Sequence, residues 1–492
     1  MLQQVFEGND PGSLQSKLIA PSWRMRRTMP NLFAYAVLLS WPLIALVLYA
    51  VLPVGRATIW TILGAQLLLP VGASIKFDMI PALDKASLAS LAALVGYIVA
   101  RKPPALHKPV GLFEVLVFVY ITSPFVTAVF NQDWITSPAR VLPPSGYYDA
   151  LSASVSQIIF LIPLFLGRAL LNSSRDTIQL LRIFTLCMTL YTLPLLFEVR
   201  MSPQLHFWIY GNSPSDFIQS MRDGGFRPMV FMGHGLPTAF YLMMGVVAGA
   251  ALWKIGSKRE QKVFGGEAIL LGGVLVLAKS LASIIYTSVL VPLVLFFTPK
   301  VQLRIAQLFV AIALLYPISR SIDVFPARLI TSAAGLVSEE RAASINFRFV
   351  NEEELLSRAG ERWFFGWGRF GRSRIYDPDT GKDLSVTDGR WIITLGQFGF
   401  VGFLAEFGLF ALIIFKAASA VSFSRSTEDG VVLGALALLF SVTIVNLLPN
   451  AALFPWTLLM AGALIGRSER IILSKRYPRI SRPEALLAEV KQ

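Results

Sequence analysis

The segment 386–403, VTDGRWIITLGQFGFVGF, places two charged side chains directly before an apolar run. A carboxylate such as Asp388 can take a proton from a hydroxyl group that is held against it. A guanidinium such as Arg390 can bind phosphate or carboxylate through two parallel hydrogen bonds. We therefore treat Asp388 as a candidate base and Arg390 as a candidate anion-binding residue, with a simple ion pair between them as the alternative. Three glycines recur at every third residue inside the run: Gly396, Gly399 and Gly402. We expect these small residues to let the span pack tightly against a neighbouring membrane helix.

Upstream of Asp388, residues 341–374 carry seven arginines and no lysine. The planar fork of arginine suits phosphate and carboxylate groups better than the point charge of lysine does. The alternative is ordinary pairing with the acidic residues at 352–354 and 361. The candidates for anion binding in this segment are Arg341, Arg348 and Arg369. The acidic cluster at 352–354 supplies a second candidate base, Glu353.

Two glycine-containing stretches flank these arginines. FGWGRFG at 365–371 predicts a turn whose backbone can approach a ligand closely. Its aromatic rings suit stacking on sugars, or alternatively a belt at the membrane interface. It lacks the flanking elements of a phosphate-binding loop or of a dinucleotide fingerprint. DPDTGKD at 377–383 resembles part of a calcium loop but lacks the closing glutamate, which favours a plain turn. The sequence predicts neither a metal nor another cofactor.

Three further candidates lie at the ends of apolar runs. Arg227 precedes the run 229–253, where helix amides favour an anion, although an arginine that only reaches the membrane surface is the alternative. His234 lies about two turns into that run, and a polar residue at such depth must face protein or water. A hydrogen-bonded structural role is the alternative for His234. Lys279 interrupts the run 266–298, where it either anchors a turn or binds an anion.

The elements that must position these residues are membrane helices. The chain is 54% hydrophobic and 15% charged, whereas soluble domains average about a quarter charged. Uncharged runs of 18 or more residues predict membrane spans, and we expect about 12–14 of them in an all-α, polytopic bundle. The predicted spans are 31–52, 57–72, 86–100, 110–130, 150–171, 177–197, 229–253, 266–279, 281–298, 303–319, 391–416, 430–448 and 451–466.

The net charge of +14 follows the short loops. Lysine and arginine favour the cytoplasmic side, which predicts that 101–109, 254–265 and the tail after 466 lie inside. The segments 131–149, 198–228 and 320–390 then lie outside. The basic residues before position 30 conflict with this alternation, because thirteen spans place the N-terminus outside. No compact basic domain exists outside the spans, which excludes a nucleic-acid partner.

This alternation divides the chain into five parts. They are a polar basic segment (1–30), a helical membrane region (31–319), a large periplasmic loop (320–390), C-terminal membrane helices (391–466) and a cytoplasmic tail (467–492). No cleavable signal peptide is predicted. A single cysteine, Cys187, excludes an intramolecular disulfide.

Four motifs, in order, resemble those of bacterial O-antigen ligases and polysaccharide polymerases. FRPMVFMGHG is similar to the arginine-bearing helix start of that family, with Arg227 as the match. AKSLASII resembles its Ser-Arg-Gly break, with Lys279 as the cation. FGWGRFG resembles its Gly-x-Gly turn, and Gly399 and Gly402 match its glycine pair. Asp388 stands where the ligases have histidine, which is more like the polymerases. The resemblance covers roughly 220–410.

The resemblance implies a broadly GT-C-like membrane glycosyltransferase in the bacterial inner membrane. It would polymerise oligosaccharide repeat units, carried on polyprenyl diphosphate, on the periplasmic face. The expected partners are this lipid-linked oligosaccharide, membrane lipids, chain-length regulators and export proteins. Its arginines would hold the diphosphate, and a carboxylate or histidine would deprotonate the acceptor hydroxyl. The expected catalytic residues are Asp388, Glu353 and His234. The expected substrate-binding residues are Arg227, Lys279, Arg341, Arg348, Arg369 and Arg390.

Three other functions stay open from the sequence. An O-antigen ligase would share the motifs but normally has histidine at the place of Asp388. A transporter or lipid flippase would also be polytopic and basic, yet it usually contains internal repeats with matching helix breaks. No second copy of the pattern at 227–410 is present. A non-catalytic subunit of an export complex is the third alternative.

Overall fold

The computed structural model describes residues 29–77, 80–100, 111–137, 139–215, 217–222, 224–336, 338–424 and 426–476. This part of the chain is mostly helical. Its helices are α1 (Leu32–Val51), α2 (Val54–Leu68), α3 (Lys85–Ala100), α4 (Leu112–Val129), α5 (Tyr147–Leu170), α6 (Ser174–Met201), α7 (Leu205–Tyr210), α8 (Phe217–Ser220), α9 (Gly235–Ile255), α10 (Lys258–Leu277), α11 (Leu281–Phe296), α12 (Pro299–Ser321), α13 (Ala327–Gly335), α14 (Glu339–Gly360), α15 (Arg390–Phe423), α16 (Thr427–Asn446) and α17 (Pro455–Arg476).

Short antiparallel hairpins connect some of these helices. The strands are β1 (Ile75–Phe77), β2 (Ile80–Leu83), β3 (Ile135–Ser137), β4 (Arg140–Leu142), β5 (Met221–Arg222) and β6 (Gly225–Phe226). They pair as β1 with β2, β3 with β4 and β5 with β6. Each hairpin lies at a junction between helices, so the bundle itself is entirely helical.

Eight helices of the described part are long and apolar enough to cross a membrane. Each of the thirteen predicted spans overlaps a helix, which agrees with the predicted polytopic bundle. The spans α9 and α16 are almost fully buried and form the centre of the bundle. Other spans, such as α1, expose much of their apolar surface, as expected for helices that face lipid.

The segments that connect the helices lie at two ends of the bundle. At one end, Arg168 bonds Glu114 and Glu469, both at 2.8 Å, and Arg467 bonds Asp429 at 2.6 Å. We name it the tail end, because α17 finishes there. The described residues of the segments 131–145, 205–234, 320–390 and 446–454 meet at the opposite end, which we name the loop end. The segments predicted to lie on one side of the membrane thus share one end of the bundle. That the loop end faces the periplasm stays a prediction.

Helix α15 is broken at Gly399, whose φ of 67° lies in the left-handed region. A side chain at Gly399 would clash with the backbone carbonyl of Phe364. A Cβ on Gly366 would likewise lie 2.6 Å from the nitrogen of Gly399. Trp367 N donates to Gly396 O at 2.8 Å, and Phe400 N donates to Trp363 O at 2.7 Å. The two glycine motifs therefore dock backbone to backbone.

This docking corrects two predictions. The glycines of α15 were expected to admit a neighbouring membrane helix, and the turn at 365–371 was expected to approach a ligand. Instead, Gly366 and Gly399 allow the outer loop to approach the break in α15. Gly396 packs near Ser373 of the same loop. The glycine run thus fixes the loop 363–373 on the membrane helix, and Asp388 lies at the start of that helix.

Candidate functional site

A cavity of about 460 Å³ opens at the loop end. Its walls come from the segment before α9, the break between α10 and α11, the helices α12, α13 and α14, and the segments at 388 and 448–449. Its charged lining residues are Arg227, Lys279, Arg348, Glu352 and Asp388. Four of these five residues were predicted site residues. Apolar side chains complete the wall, among them Leu281, Phe325, Ile330 and Leu448.

Arg227 and Lys279 meet on one side of the cavity. The Nη2 atom of Arg227 donates to the backbone oxygen of Lys279 at 3.0 Å. Lys279 has a φ of 53°, a conformation that only a minority of non-glycine residues adopt. The break between α10 and α11 is therefore a tight turn held by Arg227. This places the predicted cation of the interrupted run beside the predicted cation that precedes α9.

Arg348 and Asp388 face each other on another side of the cavity. The Nε atom of Arg348 lies 3.5 Å from Oδ2 of Asp388, and its Nη1 atom donates to Pro449 O at 3.0 Å. Gly389 packs against the carbonyl of Leu448 so closely that any side chain there would clash. The amide of Arg390 also donates to Leu447 O at 2.9 Å. These backbone contacts hold Asp388 at the edge of the cavity.

Glu352 is the buried carboxylate of the cavity, with only 7% of its surface exposed. The hydroxyl of Tyr316 donates to its Oε2 atom at 2.7 Å, and the Nε atom of Arg320 lies 3.8 Å away. Burial raises the pKa of Glu352 above the ordinary glutamate value, although Tyr316 and Arg320 act in the opposite direction. A carboxylate of this kind can exchange a proton closer to neutral pH than a solvated one.

Glu353, the predicted second base, does not reach this cavity. Successive helix residues point about 100° apart, so only one of the neighbouring glutamates can face the bundle. Glu353 is exposed and lines a separate groove of about 730 Å³ with Glu354, Arg358 and Glu361. Glu352 is the member of the acidic cluster that lines the cavity. The sequence contains a signal for this, because Glu352, Leu355 and Ala359 are spaced to lie on one helix face. All three residues are buried.

His234 lies at the N-terminus of α9 and not two turns inside it. The helix starts at Gly235, and His234 Nδ1 accepts a hydrogen bond from Leu236 N at 3.1 Å. Burial, together with the positive charges of Arg227 and Arg348, lowers the pKa of His234. The imidazole is therefore neutral near pH 7, with its Nδ1 atom occupied by the cap. His234 neighbours the cavity as a structural cap.

Helix α9 begins later than the apolar run 229–253 does, and a buried glutamate explains the difference. Both carboxylate oxygens of Glu198, which is fully buried, accept backbone amides. Met229 N and Val230 N donate to Oε2 at 2.9 and 2.8 Å, and Leu205 N donates to Oε1 at 3.1 Å. These bonds hold 229–230 in an irregular loop. A lone acid at the end of the apolar run 177–197 was the available signal.

The three other predicted binding residues do not contribute to the cavity as the structure describes it. Arg390 donates through Nε to the buried Glu406 at 2.7 Å and lies over the ring of Phe160, so its role is structural. Arg369 donates to Ser156 at 3.2 Å and lines a different pocket. Arg341 belongs to α14, but its side chain lies outside the described part of the structure.

The segment 377–383 forms a turn, as its composition favoured. The Oδ1 atom of Asp377 accepts the amides of Asp379 and Thr380 at 3.0 and 2.7 Å. Asp383 forms an ion pair with Arg374. The three carboxylates of this segment therefore do not converge on one point, because two of them are engaged in different contacts.

The fold and the site together define a multi-pass helical membrane protein with a basic cavity at one end of its bundle. No known protein-family model matches the chain, and no curated protein sequence matches it significantly.

Proposed function

We propose that this protein is a membrane glycosyltransferase that polymerises oligosaccharide repeat units carried on polyprenyl diphosphate. The observation that supports it is the convergence of Arg227, Lys279 and Arg348 with two carboxylates, Glu352 and Asp388, in one cavity. These residues come from four separate segments of the chain. Charged residues that gather in a cavity at the end of a membrane bundle are candidates for a functional site.

The three cations suit the diphosphate of the donor. Arginine binds phosphate oxygens through paired hydrogen bonds, and lysine adds a compact positive charge. In the proposed reaction, an acceptor hydroxyl attacks the anomeric carbon and the bond from this carbon to the diphosphate breaks. The polyprenyl diphosphate leaves with an added negative charge. Arg227, Lys279 and Arg348 stabilise that charge as it develops.

Asp388 is the first candidate for the base that accepts the proton of the acceptor hydroxyl. At rest, its carboxylate lies beside Arg348. A diphosphate that binds Arg348 would compete for this guanidinium and leave the carboxylate able to take a proton. Glu352 is the second candidate, because it lines the same cavity and its pKa is raised by burial. The two carboxylates divide the roles of base and acceptor-orienting group.

The apolar wall suits the lipid part of the donor. Helix α13 contributes Ile330 and Ala334 to the cavity, while Leu329 on the same helix is 71% exposed. A helix with one strongly apolar face beside the spans is typical of an interfacial helix. The cavity therefore borders the zone where a polyprenyl chain would leave the bilayer.

The experiment that tests this function is deletion of the gene, followed by structural analysis of the polysaccharide and of the lipid-linked intermediates. A polymerase predicts that long chains disappear while single repeat units accumulate on lipid at the outer leaflet. Repeat units trapped on the inner leaflet would instead identify a flippase. Unattached polymer of normal length would identify a ligase.

A further inference from the structure

A second basic groove lies at the tail end, far from the cavity described above. It has a volume of about 500 Å³ and is formed where the first turn of α2 and the N-terminal half of α6 meet the start of α16. Its polar lining includes Arg56, Arg175 and Arg182, against a single carboxylate, Glu428. Three positive charges against one negative charge leave the groove with a net positive charge.

Two of these arginines have no partner among the residues that the structure describes. Arg182 forms an ion pair with Glu260 at 2.6 Å. Arg56 and Arg175 make neither an ion pair nor a side-chain hydrogen bond with any residue in the described part of the chain. A ligand with one or two negative charges would therefore complete the groove.

The groove also has an apolar wall, which continues along a membrane span. Ile178, Ile183 and Leu186 of α6 line the groove. Beyond Leu186, the same helix exposes Leu190 and Leu193, which are 57% and 69% accessible. The spacing of Leu186, Leu190 and Leu193 places them on one helix face. The groove thus has a basic mouth and continues into an apolar stripe directed along a membrane span.

We propose that this groove binds an anionic phospholipid of the leaflet at the tail end. Its headgroup phosphate would pair with Arg56 and Arg175, and one acyl chain would lie along the stripe of Leu186, Leu190 and Leu193. Basic pockets between membrane helices on the cytoplasmic side commonly hold anionic headgroups. A soluble phosphate would use the arginines but not the stripe. This site is independent of the proposed glycosyl transfer and of its cavity.

The test uses purified full-length protein and native mass spectrometry. The protein is offered phosphatidylglycerol and phosphatidylcholine with identical acyl chains. We expect the wild type to retain phosphatidylglycerol in preference. The double variant Arg56→Gln/Arg175→Gln should bind it about 30-fold more weakly, because each arginine near an anionic lipid contributes roughly a factor of five. Equal retention of the two lipids by the wild type would overturn the proposal.

The matched control is Arg259→Gln/Arg304→Gln. It removes the same charge from exposed positions at the tail end that do not line the groove. The control should keep the affinity of the wild type within about twofold. Equal weakening in both double variants would show a diffuse charge effect and would reject the groove. If the double variant does not fold, Arg175→Gln alone, at an exposed position, should show about a fivefold loss.

Inorganic phosphate distinguishes the lipid from a soluble anion. At millimolar concentration it should leave most phosphatidylglycerol bound, because it cannot replace the contacts along α6. Complete displacement by phosphate would reject the lipid assignment and identify an anion site. Substitution of Leu190→Gln should weaken phosphatidylglycerol without changing phosphate binding, and an unchanged lipid affinity would contradict the role of the stripe.

Discussion

Arg348 and Asp388 lie 3.5 Å apart at the edge of the cavity, although they belong to different elements of the outer loop. Arg390, only two residues from Asp388, turns instead to the buried Glu406. Side-chain exposures of 33% for Arg348 and 41% for Asp388 mean that solvent screens the first pair. Exposed pairs contribute roughly 0–1 kcal/mol to stability. This pair therefore contributes little to folding, so a substitution at Asp388 can test the proposed role without unfolding the protein.

The first prediction concerns Asp388→Asn. The variant should insert and fold normally, because the pair with Arg348 contributes little to stability. Polymer formation should fall by roughly 10²–10⁴-fold, the usual contribution of a positioned acid or base. Gel analysis of polysaccharide length, with protein amount measured in the membrane fraction, provides the readout.

Asp383→Asn is the matched control for this change. Asp383 also forms an ion pair with an arginine of the outer loop, Arg374, but it does not line the cavity. Its variant should produce polymer of normal length. A well-expressed Asp388→Asn protein that also makes normal polymer would remove Asp388 from the mechanism and leave Glu352 as the candidate base.

The second prediction concerns the geometry of arginine. Arg227→Lys and Arg348→Lys keep the charge but lose the planar fork, and each should impair polymer formation by at least about tenfold. Arg374→Lys, on the exposed pair with Asp383, should have little effect. Binding of a radiolabelled lipid diphosphate to purified protein would show whether the loss lies in donor affinity. Wild-type affinity in both cavity variants would exclude them from diphosphate binding.

The third prediction concerns the pH dependence of stability at Glu352. Burial raises its pKa, so the folded protein holds this proton more tightly than the unfolded chain does. The stability that results is present below the ordinary glutamate pKa of 4.5 and is lost as the pH rises through the raised value. Glu352→Gln cannot ionise, and its amide oxygen can still accept the Tyr316 hydroxyl.

The unfolding temperature of Glu352→Gln, compared with that of the wild type at the same pH, should therefore increase as the pH rises above 4.5, the ordinary glutamate pKa. Thermal unfolding in a mild detergent, followed by tryptophan fluorescence, measures this difference. Glu353→Gln is the control, because Glu353 is exposed and faces another groove. A difference between Glu352→Gln and the wild type that does not vary with pH would show that the folded state does not raise this pKa.

The fourth prediction concerns the break in α15. Gly399→Ala places a Cβ against the Phe364 carbonyl at a φ of 67°. The strained backbone alone costs roughly 1–3 kcal/mol, and the clash adds to it. Most of the protein should be lost from the membrane fraction or should unfold at a lower temperature.

The control is Gly272→Ala on α10, where a Cβ meets nothing within 4 Å. Alanine there should be neutral or slightly stabilising, because glycine is a poor helix former. Equal unfolding temperatures for Gly399→Ala and the wild type would show that the loop does not dock on α15 as described.

The fifth prediction concerns orientation. In a Cys187→Ala background, a cysteine at Thr380 should react with an impermeant reagent in intact cells, whereas one at Ser257 should not. Both positions are exposed, and they lie at the loop end and the tail end respectively. The expected direction follows from the basic residues of the short loops. Labelling only at Ser257 would place the cavity on the cytoplasmic side.

Much of the site could be predicted because its residues interrupt strong patterns. Lys279 breaks a long apolar run, Arg227 precedes one, and Asp388 stands at the start of another. A charge at such a place needs a partner or a ligand, which is a local and readable signal. The cavity brings these three residues together with Arg348. Eight of the predicted spans correspond to helices of the described part that are long and apolar enough to cross a membrane, and their apolar length made them predictable.

The remaining contacts depend on partners that are distant in sequence. No residue near Arg390 in the sequence indicates that its guanidinium will pair with Glu406, which lies beyond the break in α15. The start of α9 depends on Glu198, which binds the amides of Met229 and Val230 across the fold. A pattern predicts that a helix exists more reliably than where it begins. The same limit applies to Glu353. To predict which of the adjacent glutamates faces the cavity, one must know how α14 is rotated about its own axis.

The contact between the loop and α15 also determines which substitutions these segments can accept during evolution. Apart from the stacked rings of Trp363 and Phe400, it is made by backbone atoms, through bonds such as Gly368 N to Gln397 O at 2.9 Å and Val401 N to Phe364 O at 3.1 Å. Bonds of this kind do not depend on which side chains stand between the glycines. Homologues could exchange most of 363–371 and 396–402 while holding Gly366 and Gly399 constant. A saturation library across these segments should therefore tolerate many replacements and reject nearly all of them at those two positions.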